Sequence, residues 1–268
     1  MRTLRTFAAV VVFASGHALA VPSGSEPFSC DWKAEVPGAI DSARLVVFGE
    51  LHGTVESPAM VGEYVCHLSR SAPSVYLALE IPSAEQAAID RYLSSGGAAD
   101  DRARLLVGPF WRGVADGRNS SAMAALIERV RQVRNAGKDA GIVAIDINGR
   151  DATTRDAAMA ENLQAAMRKH PDARFVALVG SAHASRGNAS APRPPMAHYF
   201  PAEGVVTIAV ESLPGRAWVC GNKGCGLEKV GGWRKPGSPE GFRMGMAAMP
   251  GFDGSFGLGA VTASMPSM

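Results

Sequence analysis

The segment RLVVFGELHGTVESP, residues 44–58, decides the fold, because a short apolar run is followed at once by polar side chains. RLVVF (44–48) lacks polar alternation, which is typical of a β-strand buried on both faces. Gly49 allows a sharp exit from such a strand, and Glu50 and His52 follow it. Two interpretations fit this exit: a helix N-terminus with incidental charge, or the floor of an active site.

The same organisation repeats along the chain. Further apolar runs predict strands at VYLAL (75–79), IVAID (142–146), RFVALV (174–179) and VVTIAV (205–210), and amphipathic segments predict helices at 56–70, 83–97, 121–137 and 153–171. Strands that alternate with helices indicate an α/β fold with a mostly parallel central sheet and helices on both faces. In such a sheet, ligands bind at the carboxyl ends of the strands.

The two ends of the chain differ from this central part. Residues 1–20 have a basic start, a short apolar core and the sequence Ala18-Leu19-Ala20, which predicts a signal peptide cleaved after Ala20. We therefore expect a periplasmic or secreted protein with no membrane anchor after cleavage. Residues 21–220 read as a single α/β domain. Residues 221–268, rich in Gly, Met and Pro without a clear period, read as an irregular C-terminal tail.

Charge argues against two classes of partner. The chain has 27 Lys and Arg residues against 25 Asp and Glu residues, and two of the arginines, Arg2 and Arg5, lie in the predicted signal peptide. The mature chain thus has about zero net charge, which gives no support for binding to nucleic acid or to a membrane surface.

The four cysteines predict disulfides, since the chain is expected in an oxidising compartment. Cys220 and Cys225 bracket a Gly/Asn turn that can bring them together, which leaves Cys30 and Cys66 as the second pair. Buried free thiols are the alternative. The sequence contains no CxxC spacing, so a cysteine metal site is disfavoured.

Polar residues that could carry chemistry come directly after the predicted strands. GELH and GSAH place His52 and His183 three residues after a glycine, while Glu80 and Asp146 follow or end two other strands. Histidines and carboxylates at one sheet edge suit either a divalent metal, with His52, Glu80 and His183 as ligands, or general acid–base catalysis. A lone histidine after a strand is more often a hydrogen-bonded loop residue, and Glu80 alone could cap a helix.

Two helix starts add candidate substrate-binding residues. PFWRGVADGRNSSAM (109–123) places Asp116 and Arg118 just before a helix, where backbone N–H groups favour anions. A loop capped by Ser120 or Ser121 explains this segment equally well. In a later helix, Asp156 is explained by capping and the helix dipole, whereas Arg155 is less expected there and is a candidate to face the cleft.

Four motifs together resemble one superfamily: VVFGELHGT (46–54), LALEIPSAEQAAIDRYL (77–93), DINGRDATTRDAAMAENL (146–163) and VALVGSAHAS (176–185). They are similar, in this order, to the superfamily that unites ChaN-like haem-binding uptake proteins, Tiki/TraB-type metalloproteases and erythromycin-esterase-like hydrolases. The resemblance covers roughly residues 44–185. It implies one cleft lined by Glu50, His52, Glu80 and His183, with Arg155 and Asp156 nearby. ChaN-like members are lipoproteins, and this chain lacks the lipobox cysteine.

The sequence therefore predicts a hydrolase of ester or peptide bonds in which Glu50, His52, Glu80 and His183 activate water, either with a divalent metal or directly. We expect Asp116, Arg118, Asp146, Arg155 and Asp156 to bind a small-molecule, ester or peptide substrate. Two alternatives stay open: a haem- or iron-binding protein without turnover, and an inactive binding protein of the cell envelope.

Overall fold

The run RLVVF forms strand β1 (Leu45–Glu50) near the middle of a sheet. The computed structural model describes residues 28–113, 116–147, 154–187, 193–222 and 224–267. Strand β1 pairs in parallel with β4 (Arg174–Gly180) on one side and β5 (Val205–Leu213) on the other. All its residues are buried, as its uninterrupted apolar sequence predicts.

The remaining strands extend this sheet on both sides or form a separate hairpin. They are β2 (Val75–Pro82), β3 (Ala140–Asp146), β8 (Gly241–Met244) and β9 (Gly254–Ala260) in the sheet, and β6 (Gly215–Gly221) with β7 (Gly224–Val230) in the hairpin. Across the described ranges the sheet has seven strands in the order β3-β2-β4-β1-β5-β9-β8, parallel except for β8. The five predicted strands and the predicted mostly parallel sheet are confirmed.

Eight α-helices connect the strands or flank them within the described residues. They are α1 (Gly38–Ser42), α2 (Glu56–Leu68), α3 (Gln86–Leu93), α4 (Ala99–Leu105), α5 (Pro109–Arg112), α6 (Ser121–Asn135), α7 (Arg155–Lys169) and α8 (Ser181–Ala184). Four of them lie in the segments where amphipathic patterns predict helices. The short helices α1, α4, α5 and α8 were not predicted, because four to seven residues are too few to show a helical period.

Helices cover both faces of the sheet, which explains why β1 is apolar at every position from Leu45 to Phe48. Its residues Val46 and Phe48 belong to the core that includes α2 and α6. Its residues Leu45 and Val47 point the other way and belong to the core that includes α7. Successive side chains of a strand point to opposite faces, so a strand between two helical layers needs an apolar residue at every position.

The prediction of an irregular C-terminal tail from residue 221 is wrong. Strand β9 pairs in parallel with β5, and β8 pairs with β9 at the sheet edge. The sequence of β9, GSFGLGA, hides this role because it is rich in glycine. Gly257 is needed where it lies: a Cβ there would be 2.9 Å from the carbonyl oxygen of Pro239. Close backbone approach therefore takes the place of the branched side chains that usually mark a strand.

Two disulfides bear on the compartment of the protein. Both predicted pairs form, with Cα–Cα distances of 5.6 Å for Cys30–Cys66 and 3.8 Å for Cys220–Cys225. Disulfides persist in oxidising environments, which agrees with a chain that folds outside the cytosol. The predicted signal peptide lies outside the described residues. Within the described part of the chain, no helix combines the length and apolarity needed to cross a membrane.

Candidate active site

The predicted site residues lie at the carboxyl-end edge of the sheet. Glu50 ends β1, Asp146 ends β3, and Glu80 lies near the end of β2, where the pairing register with β3 shifts. His183 is on α8, which directly follows β4. Because β1, β2 and β4 are adjacent in the sheet, residues far apart in sequence meet at this edge.

His52 lies between two buried carboxylates. Its Nδ1 is 3.0 Å from Oε1 of Glu50, and its Nε2 is 3.2 Å from Oε2 of Glu80. Burial lowers the pKa of His52, but the charge of Glu80 and the hydrogen bonds to both carboxylates outweigh it and raise the pKa to about 10. Both ring nitrogens therefore donate, and His52 is an imidazolium at neutral pH.

The pKa values of these two carboxyl groups move in opposite directions. Burial raises the pKa of Glu50, although the hydrogen bond to His52 opposes the shift. Burial also acts to raise the pKa of Glu80, but the charge of His52 holds it well below its usual range. The backbone N–H of Gly180 donates to Glu80 Oε2 over 2.8 Å. By contrast, Oε2 of Glu50 is buried without a hydrogen-bond partner among the described residues.

Two arginines lie on the other oxygen of Glu80. Nη2 of Arg155 is 2.5 Å and Nη1 of Arg118 is 3.4 Å from Oε1. Asp146 holds both arginines, because it accepts two hydrogen bonds of 2.8 and 2.7 Å from Arg155 and one of 2.8 Å from Arg118. Asp116 fixes the far side of the Arg118 guanidinium at 2.6 Å. Charge-assisted pairs of this kind hold a planar guanidinium in one orientation.

His183 has a different hydrogen-bonding role from His52. Its Nδ1 is 2.7 Å from Oδ1 of Asp156, and its Nε2 is 3.0 Å from Nη1 of Arg155. A guanidinium can only donate, so Nε2 accepts and the ring proton is assigned to Nδ1, where it is donated to Asp156. Nε2 also lies 3.6 Å from Oε1 of Glu80. The two imidazoles thus contact the two oxygens of one carboxylate.

Glycine backbone shapes the floor of the site. A Cβ on Gly180 would lie 2.9 Å from Nε2 of His52, so a larger residue would displace the imidazole. Gly53 has φ of +77°, and a Cβ there would lie 2.0 Å from the carbonyl oxygen of Trp218. A Cβ on Gly117 would lie 2.6 Å from the backbone nitrogen of Gly53. The loop with His52 and the loop with Arg118 therefore touch through their backbones.

The C-terminal strap, residues 261–267, joins the same two loops. Ser264 N–H donates to the carbonyl of Gly53 over 2.9 Å, and Ser264 Oγ accepts from the N–H of Ala122 over 2.9 Å. The N–H of Ser267 donates to the carbonyl of Asn119 over 3.0 Å. The last residues of the chain thus hold the loop of His52 and the loop of Arg118 at a fixed separation.

The charged side chains line a cleft of about 530 Å³. On one side of the cleft lie Leu51, Val219, Trp233 and Met249. Leu51 and Trp233 are 42% and 60% exposed, which is high for large apolar side chains. The charged centre therefore borders apolar side chains, two of which, Trp233 and Met249, belong to the region that the sequence pattern assigned to an irregular tail.

No protein-family model matches this sequence, and no curated protein is significantly similar to it. Solved structures do match the fold. An erythromycin esterase mutant in its open conformation matches with a TM-score of 0.53 at 13% identity, over 71% of this chain and 76% of that protein. The chain has the erythromycin-esterase fold.

Two further structures match over more of the chain. A Bacillus cereus protein matches with a TM-score of 0.59 at 14% identity, and a succinoglycan biosynthesis protein with 0.60 at 10%. Each match covers 85% of this chain and 91% of the other. The predicted resemblance to the superfamily of this fold is thereby confirmed at the level of the fold.

A metal or haem iron does not fit the side chains as this version of the erythromycin-esterase fold arranges them. Among the described residues, no group of three or more His, Cys, Asp or Glu side chains could hold a metal ion. His52 has no free lone pair, since both nitrogens face carboxylates. Nε2 of His183 and Oε1 of Glu80 both face the Arg155 guanidinium, whose charge opposes a cation. The arrangement favours the metal-free alternative of the sequence analysis.

The structure also separates structural residues from site residues. Ser120 caps α6 by accepting from the N–H of Met123 over 3.3 Å, as the capping interpretation of that loop predicts, and Arg118 of the same loop reaches Glu80 and Asp146. Asp156 lies in the first turn of α7, but its Oδ1 accepts from Nδ1 of His183 and from the N–H of Met196, so it orients His183. Sequence reasoning missed Gly180 as a site residue, although its place in GSAH, directly after a strand, was the available signal.

Proposed function

We propose that the protein is a hydrolase that cleaves ester bonds by metal-free acid–base catalysis in an oxidising, extracytoplasmic compartment. The observation that carries this proposal is the placement of two imidazoles beside Glu80: His52 donates to Oε2 of Glu80, while Nε2 of His183, 3.6 Å from Oε1, accepts from Arg155. A proton donor and a proton acceptor in one cleft are what hydrolysis of an ester requires.

His183 is the base in this proposal. Asp156 accepts the Nδ1 proton and orients the ring, which leaves the Nε2 lone pair directed at the cleft. In the reaction, a water molecule replaces Nη1 of Arg155 as the donor to Nε2. The water loses a proton to Nε2 as its oxygen attacks the ester carbonyl carbon, in the same way as other histidine–carboxylate pairs act.

The arginines stabilise the negative charge that this attack creates. Arg118 and Arg155 both line the cleft, and Asp146 fixes both guanidiniums before substrate arrives. The carbonyl oxygen becomes an oxyanion in the tetrahedral intermediate. Fixed positive groups that are already oriented stabilise such a charge without reorganisation, and each typically lowers the barrier by a few kcal/mol.

His52 with Glu50 supplies the proton for the leaving group. Glu80 keeps His52 protonated, and Glu50, whose pKa is raised by burial, lies on its other nitrogen. When the tetrahedral intermediate collapses, the C–O bond breaks and the departing alkoxide replaces Glu80 as the acceptor at Nε2 of His52 and takes that proton. The proton that His183 took from water then passes through water to His52, so the products are one acid and one alcohol and the enzyme is restored.

Ester rather than peptide bonds are proposed because of the comparison with known structures. One fold neighbour with a TM-score above 0.5, at 13% identity, is named an erythromycin esterase. Amide leaving groups also need a stronger proton donor at the moment of bond cleavage than an imidazolium with a pKa of about 10 provides.

The test uses the purified mature protein with 4-nitrophenyl esters as probes. We expect measurable turnover, reduced about 10²–10⁴-fold in His183→Asn and in His52→Asn. His170→Asn is the matched control, because His170 stacks on Tyr76 and lies outside the cleft. Metal analysis by mass spectrometry and a scan for a Soret band accompany the assay. Absence of turnover together with a stoichiometric metal or bound haem would overturn the proposal.

A further inference from the structure

A second, larger depression lies next to the cleft lined by His52, Glu80 and His183, which we call the catalytic cleft. It has a volume of about 1030 Å³ and lies between α3, with the 3₁₀ turn Ser83–Glu85 before it, and the segment that contains α4 and α5. We call it the apolar groove. Its volume is at the upper end of the roughly 300–1,000 Å³ that sites for drug-sized ligands have.

The apolar groove and the catalytic cleft are continuous. Asp116, Arg118 and Arg155 line both of them. A molecule whose ester carbonyl faces the two guanidiniums therefore has one substituent directed into the groove. Leu51 and Trp233 line the cleft but not the groove, so they are available to contact the other substituent.

The groove is wide and largely apolar, although Arg91, Arg104 and Asp146 also belong to its lining. One wall is made of alanines, Ala84, Ala87 and Ala88, which leave space where longer side chains would fill it. The long side chain of Gln86 is turned away from solvent, since it hydrogen-bonds the backbone of β3 at Ile142 and Ala144.

The opposite wall presents apolar surface to water. Val107 is 50% exposed, and Phe110 lies beside it in the groove. Glu85, the buried acid of the groove, has a carboxylate that accepts from the N–H of Phe110 over 3.2 Å, so it holds this wall in place. Apolar surface gathered in a concave site gains stability when an apolar ligand covers it.

From this continuity, and on the basis of the proposed esterase function, we infer that the substrates are esters that carry an extended or bulky apolar group, and that the apolar groove binds this group while the ester lies against Arg118 and Arg155. Small or strongly polar esters occupy only the catalytic cleft and leave the apolar groove empty. The groove thus determines which esters are hydrolysed efficiently.

The inference is tested with a series of 4-nitrophenyl esters whose straight acyl chains have two, four, six and eight carbons. Burial of each added methylene predicts a rise in kcat/KM of about two- to fourfold per carbon. Ala87→Trp should fill the groove and remove this dependence, while hydrolysis of the acetyl ester stays unchanged. Ala103→Trp is the matched control, because Ala103 is an exposed alanine of α4 outside the groove.

A binding measurement separates the groove from the chemistry. N-ethyloctanamide and N-ethylacetamide, which carry the acyl groups of the octanoyl and acetyl esters but resist cleavage, are titrated by calorimetry into the wild-type protein and both variants. We expect the octanamide to bind at least tenfold more tightly than the acetamide, except in Ala87→Trp. Tighter binding of the long-chain amide supports the apolar groove even if no ester is hydrolysed. In that case only the proposed esterase function is refuted. Hydrolysis without chain-length dependence, and equal binding of the two amides, would overturn the groove and leave the esterase standing.

Discussion

Wild-type stability should fall between pH 8 and pH 10 because only the folded state keeps the proton of His52 there. Contacts with Glu80 and Glu50 raise the folded-state pKa of His52 to about 10, against an unfolded value of about 6.5. Below pH 6.5 both states bind the proton, and the stabilisation is fully present. Between these two pKa values the folded state holds one proton more than the unfolded state, so stability falls as pH rises and the contribution disappears above about pH 10.

The size of the effect follows from the two pKa values. Each unit between them corresponds to about 1.36 kcal/mol. The contribution of His52 is therefore about 5 kcal/mol below pH 6, about 3 kcal/mol at pH 8 and under about 1 kcal/mol at pH 10. The loss of about 2 kcal/mol between pH 8 and pH 10 corresponds to a decrease in melting temperature of roughly 4–8 °C for a domain of this size.

The assay compares wild type with His52→Gln by urea unfolding at pH 8, 9 and 10, so that the titration of tyrosines and lysines cancels in the difference. We expect the stability advantage of the wild type to shrink by about 2 kcal/mol over this window. His198→Gln is the control histidine variant, since His198 forms no ion pair with the described residues. An advantage that is constant with pH, or that grows with pH, would refute the assignment of His52 as an imidazolium held by two carboxylates.

Four other outcomes follow from the same geometry. Ester hydrolysis should persist to about pH 10 on the alkaline side, where His52 deprotonates, and Glu80→Gln should move this limb of the pH–rate profile to lower pH. Gly180→Ala should lower kcat more than tenfold and destabilise by about 1–3 kcal/mol, because its Cβ meets the His52 ring; kinetics and thermal melting check both. Ser264→Ala should cost about 1–3 kcal/mol in urea unfolding, since the buried N–H of Ala122 loses its acceptor. Prolonged dialysis against EDTA should leave turnover unchanged, which the same ester assay measures.

The core of the fold was predictable because each central strand is apolar on both faces. The run at 44–48, like the other four predicted strands, forms a strand of the parallel sheet. Strands β8 and β9, at one edge of the sheet, were not predictable from apolar runs. Strand β9 consists largely of glycine and small residues, and its identity depends on tertiary contacts such as that of Gly257 with Pro239, which leave no periodic signal.

The clustering of the candidate site residues was predictable, but their hydrogen-bond partners were not. The rule that ligands bind at the carboxyl ends of parallel strands placed His52, Glu80 and His183 together, and the structure does bring them together. The same residue types are typical of zinc ligands and of acid–base pairs, so residue type alone left the metal open. The hydrogen-bond partner of each imidazole nitrogen distinguishes a zinc ligand from an acid–base group, and only the three-dimensional structure shows these partners.

Arg155 is the residue on which that distinction depends. In sequence it is an unfavourable charge in the first turn of a helix, and its guanidinium reaches Glu80, Asp146 and His183 in the structure. A positive charge at this position occupies the lone pairs that a cation would need, and it also defines His183 as an acceptor. The local cost at the helix start is therefore compensated by the contacts of Arg155 with Glu80, Asp146 and His183, which is the pattern expected when a residue breaks a local rule to serve a site.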